Sequence, residues 1–289
     1  MQRFGSYLCL IDKTDEPSMR LFTQGDKTMP INKFHLCALL STLLLFSVQA
    51  RAEVKEFEVR DNPGLRLENI AGEISVSAGS ANQIVVEYQV EGEGVDVIFE
   101  ESSDGVQVKV VHPQGINWSS RNHRVDFVIQ VPATGRYALK SVSGAIEMNG
   151  IGGRVRLETV SGAIRISDSS GDLDLHSVSG NIEMQQVYNA DLAANTVSGD
   201  IDYKDGDLSG ESYDISSVSG HIFISFDNKA SFRVRGKTIS GDVQIDSTVK
   251  TEIFKQRFGG NQSFDGEYNG GKTGLNLSSI SGSIRLVAN

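Results

Sequence analysis

One eight-residue phrase recurs along this chain, and it limits the possible folds more than any other feature, because self-similarity at a short period marks a repeat architecture. It reads NIAGEISV at 69–76, SVSGAIEM at 141–148, TVSGAIRI at 159–166 and SVSGNIEM at 177–184. It continues as TVSGDIDY at 196–203, SVSGHIFI at 217–224, TISGDVQI at 238–245 and SISGSIRL at 279–286. Its central glycines are Gly72, Gly144, Gly162, Gly180, Gly199, Gly220, Gly241 and Gly282. From Gly144 to Gly241 they lie 18 to 21 residues apart. That is about half of a helical repeat, and it suits two short strands per coil.

Successive side chains of a strand point to opposite faces, so parity within the phrase carries the argument. In the unit around Gly162, Val155 and Leu157 share one face, and Val160, Gly162, Ile164 and Ile166 share a second run of equal parity. The odd offset from Leu157 to Val160 predicts a corner between them. The glycine then falls on the inward parity, at a place too narrow for a side chain or at a bulge needing positive φ. A lone coil of about 18 residues loses more conformational entropy than its few apolar side chains return, so the coils must stack and share one apolar column. The expected fold is all-β: a β-solenoid or β-roll of 18–21-residue two-strand coils forming two sheets.

The first phrase is separated from the second by residues 78–136, which alternate as strands do and contain Gly92, Gly94 and the Asp104-Gly105 turn pair. These features predict an inserted antiparallel hairpin region that caps the N-terminal end of the stack. Residues 246–274 have the length of one degenerate coil or of a hairpin lying over the stack.

Residues 29–52 have the pattern of a cleaved secretory signal: Met29, Lys33, an apolar stretch from Phe34 to Val48, and the small-x-small site Ala50-Arg51-Ala52. Translation is expected to start at Met29, leaving residues 1–28 untranslated or disordered. The domain reading is then signal peptide 29–52, first strands and first coil 53–77, insertion 78–136 and solenoid 137–289. Cys9 and Cys37 both precede residue 53, so the mature chain is expected to have no disulfide or lipid-bearing cysteine. Residues 53–289 carry 21 Lys/Arg against 33 Asp/Glu. That balance disfavours nucleic acid and anionic membrane surfaces, both of which demand clustered positive charge.

The (Ser/Thr)-(Val/Ile)-Ser-Gly-x-(Ile/Val) phrase, following a signal sequence and a strand-rich stretch, resembles the bacterial "putative adhesin" family of β-strand-repeat envelope proteins, a domain-of-unknown-function family. The resemblance covers nearly all of residues 53–289. It implies a β-roll-like fold, an envelope location and no established enzymatic activity, and it supplies no catalytic or ligand residues.

Candidate chemistry is sparse. Gly266 to Thr273 (GEYNGGKT) satisfies the P-loop pattern, but a strand rather than a helix is expected after it, so no nucleotide site is assigned. Asp200, Asp202, Asp205 and Asp207 are weak calcium candidates, with Asp168, Asp172 and Asp174 on another coil; none follows a known calcium-loop pattern, and no metal site is assigned. His112, His123, His176 and His221 lie on different elements without metal spacing. Trp118, Arg121, His123 and Arg124 share one polar loop and are the ligand-contact candidates, with Trp118 packing on neighbouring hairpins as the structural alternative. Stacked Ser/Thr files such as Thr159 and Ser161 could order water as ice-binding solenoids do, but satisfying backbone groups at the corner is the preferred role. No catalytic residue and no cofactor is identified.

The sequence therefore reads as a non-enzymatic periplasmic or secreted protein that binds or scaffolds a protein or glycan of the cell envelope, with neither nucleic acid nor nucleotide as partner. A polysaccharide-acting solenoid enzyme and a purely structural spacer are the alternatives.

Overall fold

A computed structural model describes residues 52–102, 104–112, 123–255 and 261–289. The segments 1–28 and 29–52 of the domain reading, apart from Ala52, lie outside these residues, as do Cys9 and Cys37.

The described residues form strands and turns and no helix. The N-terminal strands are β1 (Ala52–Glu58), β2 (Gly64–Ala71), β3 (Ile74–Ala78), β4 (Gln83–Glu91), β5 (Asp96–Ser102), β6 (Gly105–Val111) and β7 (Arg124–Val131). Regular coils follow as β8 (Thr134–Ser143) with β9 (Ile146–Asn149), β10 (Gly152–Ser161) with β11 (Ile164–Ser167), and β12 (Ser170–Ser177) with β13 (Ile182–Gln185). Two more are β14 (Tyr188–Ser198) with β15 (Ile201–Gly206) and β16 (Ser212–Ser219) with β17 (Ile222–Phe226). The chain ends with β18 (Phe232–Thr238), β19 (Val243–Ile245), β20 (Lys250–Lys255), β21 (Gln262–Tyr268), β22 (Thr273–Ser279) and β23 (Ile284–Ala288).

These strands make two sheets, and each coil contributes one strand to both. The 11-stranded sheet runs β1-β4-β7-β3-β9-β11-β13-β15-β17-β23-β19; the 12-stranded sheet runs β20-β21-β18-β22-β16-β14-β12-β10-β8-β2-β6-β5. Neighbouring coils pair in parallel and in register: Leu157 faces Leu139 and Leu175, and Ile164 faces Ile146 and Ile182. The solenoid expectation holds. Every coil sends the same positions inward, as with Val155, Leu157, Ile164 and Ile166, so one apolar column fills the space between the sheets.

The spatial order of coils departs from chain order at both ends. β6 pairs in parallel with β2, and β7 with β3, so the expected insertion supplies a complete extra rung beyond the first coil. Its antiparallel parts are β5 on β6 and β4 on β7; β1, from before the first coil, adds to β4, and together these strands close that end. At the other end the last coil in sequence, β22 with β23, is threaded between β16/β17 and β18/β19. Of the two options for residues 246–274, the hairpin is the one formed: β20 and β21 pair antiparallel, and β21 adds to β18.

The corner lies later than parity predicts. β10 continues through Thr159 and Val160 to Ser161, so the inward run is Val155, Leu157, Thr159. Thr159 is 4 % exposed, whereas Val160 is 48 % exposed. Val160 therefore belongs to the outside, and the chain turns after Gly162. Gly72 and Gly144 have the positive φ expected of the phrase glycines, at +111° and +156°, but for the later ones the reason for glycine is different. A β-carbon on Gly180 would overlap the carbonyl of Gly162, and one on Gly199 would overlap that of Gly180; both glycines are half-buried at the corner and face the next rung, not the interior. Of the phrase glycines from Gly162 onward, none adopts positive φ. Tight backbone stacking at the corner excludes side chains, and the ladder continues across it through Ile164 N–H to Asn181 O (2.9 Å) and Ile182 N–H to Asp200 O (2.9 Å).

Candidate functional site

Because the strand leading into each corner runs on past its buried hydroxyl residue, the β-branched residue that follows points to solvent on every regular rung. In spatial order these are Val142, Val160, Val178, Val197, Val218, Ile280 and Ile239, each 42–49 % exposed. Adjacent members are about 4.8 Å apart, the strand spacing, so each shields part of its neighbours and leaves one side uncovered. An exposed file of serines runs beside this rail: Ser143, Ser161, Ser179, Ser198, Ser219, Ser281 and Ser240. Isolated exposed valines are ordinary on soluble proteins, whereas an uninterrupted file of seven is a contiguous apolar strip. Sequence reasoning missed it by assigning Val160 to the core. The signal was available in the even offset from Leu157 to Thr159, which puts the valine outside if the strand is not broken.

Behind the rail lies the buried polar file Asn69, Ser141, Thr159, Ser177, Thr196, Ser217, Ser279 and Thr238. Four members donate to the glycine carbonyl of the neighbouring rung: Thr196 to Gly180 (3.2 Å), Ser217 to Gly199 (3.1 Å), Ser279 to Gly220 (3.3 Å) and Thr238 to Gly282 (3.0 Å). This is the corner-satisfying role expected of the hydroxyls. Thr159 is buried and Ser161 is exposed, so the outer surface carries a single serine file and not a paired hydroxyl array.

The sequence-derived contact candidates are only partly brought together. Trp118 and Arg121 lie outside the described residues. His123 immediately precedes β7, and Arg124 is its first residue. Arg124 donates both Nη2 hydrogen bonds to Asp126 at 2.6 and 2.7 Å, and the Asp126 carboxylate also accepts from Glu73 N–H at 2.8 Å, so this guanidinium is engaged inside the protein. His112 lies close enough to His123 to feel it: burial and then the charge of His123 hold its pKa below the ordinary imidazole value.

The acidic candidates serve separate local tasks. Asp200 accepts from His221 N–H at 2.7 Å, Asp202 from Lys204 Nζ at 2.9 Å, Asp205 from Asn289 Nδ2 at 3.2 Å, and Asp207 from the N–H groups of Asn189 and Ser209 at 3.1 Å each. Among the described residues no group of three or more His, Cys, Asp or Glu side chains is placed to hold a metal ion. Asp172 and Asp174 pair with Arg154 (3.2 Å) and Arg156 (3.0 Å) across the outer face of the 12-stranded sheet. His176 lies 2.6 Å from Asp174, and His221 Nδ1 accepts from Ser283 N–H at 3.1 Å. At the P-loop match, Thr273 opens strand β22, so no helix dipole is available to a phosphate there.

Comparison with solved structures returns distant matches. A "putative cell adhesion protein" from Clostridium sporogenes is 13 % identical with a TM-score of 0.40, covering 83 % of this chain and 99 % of its own. A "putative adhesin" from Bacteroides fragilis is 12 % identical with a TM-score of 0.43, covering 82 % of this chain and 97 % of its own. No curated protein matches. The Toastrack family model, DUF4097, matches residues 126–287, from within β7 to β23. With that match spanning more than half its length, the chain belongs to the Toastrack family of domains of unknown function.

Proposed function

We propose that this protein is an exported, non-enzymatic component of the bacterial cell envelope that binds another envelope or surface protein along its valine–serine edge. The observation carrying the reading is the rail of seven half-exposed β-branched residues from Val142 to Ile239. Covering such a strip removes apolar area from water, and its even spacing on paired strands holds the side chains in fixed positions, so little further ordering is needed on binding. A protein surface is the better fit than a glycan, because the rail is aliphatic and has no aromatic ring or planar polar fork. Export rests on the signal pattern at 29–52, and the non-enzymatic reading on surface carboxylates such as Asp172, Asp174, Asp200 and Asp202 being engaged by local partners.

The test compares residues 53–289 with the variant Val160→Ser/Val178→Ser/Val197→Ser as baits for envelope extracts and as probes of a glycan array. A further variant, Arg165→Ser/Phe223→Ser on the outer face of the other sheet, serves as the control. The reading holds if an envelope protein is retained by the parent and the control and lost by the rail variant, with all three equally folded by circular dichroism. Retention that ignores the rail, capture of glycan alone, or silence throughout would overturn it, the last result favouring the structural spacer.

A further inference from the structure

Ala138 occupies an unusual position on the outer face of the 12-stranded sheet. A residue on a sheet face has four nearest same-face neighbours, two across the strands at about 4.8 Å and two along its own strand at roughly 6.6 Å. For Ala138 these are Arg66 on β2, Arg156 on β10, and Arg136 and Lys140 on β8. All four are basic in a chain whose net charge is −10.

The internal carboxylates neutralise only part of this group. Lys140 is 2.8 Å from Glu158, and Arg156 contacts Glu158 and Asp174. Among the described residues Arg66 and Arg136 form no ion pair. Arg136 is instead flanked in register by Gly64 on one side and by Arg154 on the other. Placing two arginines directly opposite one another costs stability unless an anion lies between them. Arg154 is itself paired with Asp172 at 3.2 Å, a well-exposed pair of the kind that contributes little and is readily exchanged.

Small residues make room beside these cations. Gly64 and Gly105 present no side chain next to Arg136, and Ala138 presents only a methyl group. The result is an open recess of about 470 Å³ whose lining includes Arg66, Arg136, Ala138, Arg154 and Arg156, with Asp104 the one carboxylate residue among them. A guanidinium offers parallel N–H donors that match the oxygens of a phosphate, and two free guanidiniums match its charge.

We propose that the recess around Ala138 is a phosphate-binding site in which Arg66 and Arg136 grip the anion. The chain's acidity elsewhere confines that affinity to this patch, so the group bound is a single phosphate presented by a larger molecule or free in solution. The site lies on a sheet face and the valine–serine edge at a corner, so either can fail without the other.

The experiment follows the backbone amide of Ala138 and the arginine Nε–H signals by NMR while inorganic phosphate is added to millimolar concentration, then glucose 1-phosphate. A parallel arm measures sedimentation with vesicles of phosphatidylglycerol or of phosphatidylcholine. The expected result is a saturable shift centred on Ala138 that weakens at least about tenfold in Arg66→Ala/Arg136→Ala, the loss of one charge-assisted hydrogen bond or more. The control Arg233→Ala/Arg235→Ala, which removes two ion-paired arginines at the far end of the same sheet, should bind as the parent does. Phosphatidylglycerol-specific sedimentation lost in the recess variant would identify a lipid headgroup as the source; binding of the soluble phosphates alone would identify a soluble or glycan-borne phosphate. Shifts spread evenly over exposed cations, or shifts unchanged by Arg66→Ala/Arg136→Ala, would overturn the proposal.

Discussion

Gly282 stacks on Gly220: a β-carbon on Gly282 would run into the Gly220 carbonyl, and one on Gly241 would in turn run into that of Gly282. The glycine column therefore passes from Gly220 to Gly282 and only then to Gly241. What the column demands is close backbone approach from rung to rung, which a side chain blocks even where the dihedral angles would admit one.

Gly180→Ala should destabilise the fold by about 3 kcal/mol or more, the upper range for overpacking, because the obstacle is the Gly162 backbone and not a flexible side chain. Gly270→Ala is the informative comparison. Gly270 has φ +88° and nothing within 4 Å of the added carbon, so only left-handed strain of about 1–2 kcal/mol applies. Chemical denaturation of the two variants should give the larger loss at Gly180; the reverse ranking would mean that dihedral strain and not stacking selects glycine in the phrase.

The buried hydroxyl file separates hydrogen bonding from shape. Thr238 donates to Gly282 O at 3.0 Å in a fully buried setting, so Thr238→Val should cost about 1 kcal/mol. Thr159 is as deeply placed but its Oγ1 has no hydrogen-bond partner among the described residues, so Thr159→Val should be neutral or stabilising. Equal losses in denaturant titrations of the two variants would show that the hydroxyls are retained for some purpose other than the corner carbonyls.

Much of this architecture was legible in the sequence because parity and period are properties of strands themselves. Leu157, Ile164 and Ile166 are inward as their spacing requires, and the eight glycines form the column their repetition implies. Val160 was misplaced because a corner was inferred from an odd offset, when the strand instead continues and turns at the glycine. The order of rungs was hidden for a different reason. Tertiary pairing can insert β22/β23 ahead of β18/β19 without altering either phrase, since each coil carries the same inward pattern and fits any slot. The cluster around Ala138 depends on β2 and β10 flanking β8, and a linear reading that separates Arg66 from Arg136 by the whole insertion does not bring them together. Trp118, Arg121, His123 and Arg124 are grouped by closeness in sequence, which carries no information about register.

Tyr88 provides a pH readout of the N-terminal closure. Its hydroxyl donates to the Glu53 carboxylate at 2.6 Å, and burial followed by that hydrogen bond and charge pushes its pKa up to about 12. A phenol whose folded pKa exceeds its unfolded value of about 10 gives stability that is fully present below pH ~10 and is lost as pH rises through the folded value. The difference in phenolate absorbance between the parent and Tyr88→Phe should titrate near 12, and the variant should lose about 1 kcal/mol at neutral pH while keeping the ring contacts with Phe99 and Phe127. A midpoint near 10 would mean that β1 does not hold Glu53 against β4 in solution.

Threading makes the C-terminus structurally central. In an array built in chain order, removing the last coil exposes one rung and leaves the others paired. Here β22 bridges β16 and β18, and β23 bridges β17 and β19, so deleting residues 270–289 takes out an interior rung. The deletion would uncover Ile222 and Ile224 on one side, and would leave Phe232 and Val234 of β18 attached to the body only through the loop after Phe226. Hydrogen exchange on that truncated protein should therefore show protection lost from β18 to β21 as well as weakened in β17, with β8 to β13 unaffected. For β18 and β19 to recover protection they would have to re-pair directly with β16 and β17; the shared inward pattern of the coils permits that, so protection retained in β18 would show the rungs to be interchangeable in fact as well as in sequence.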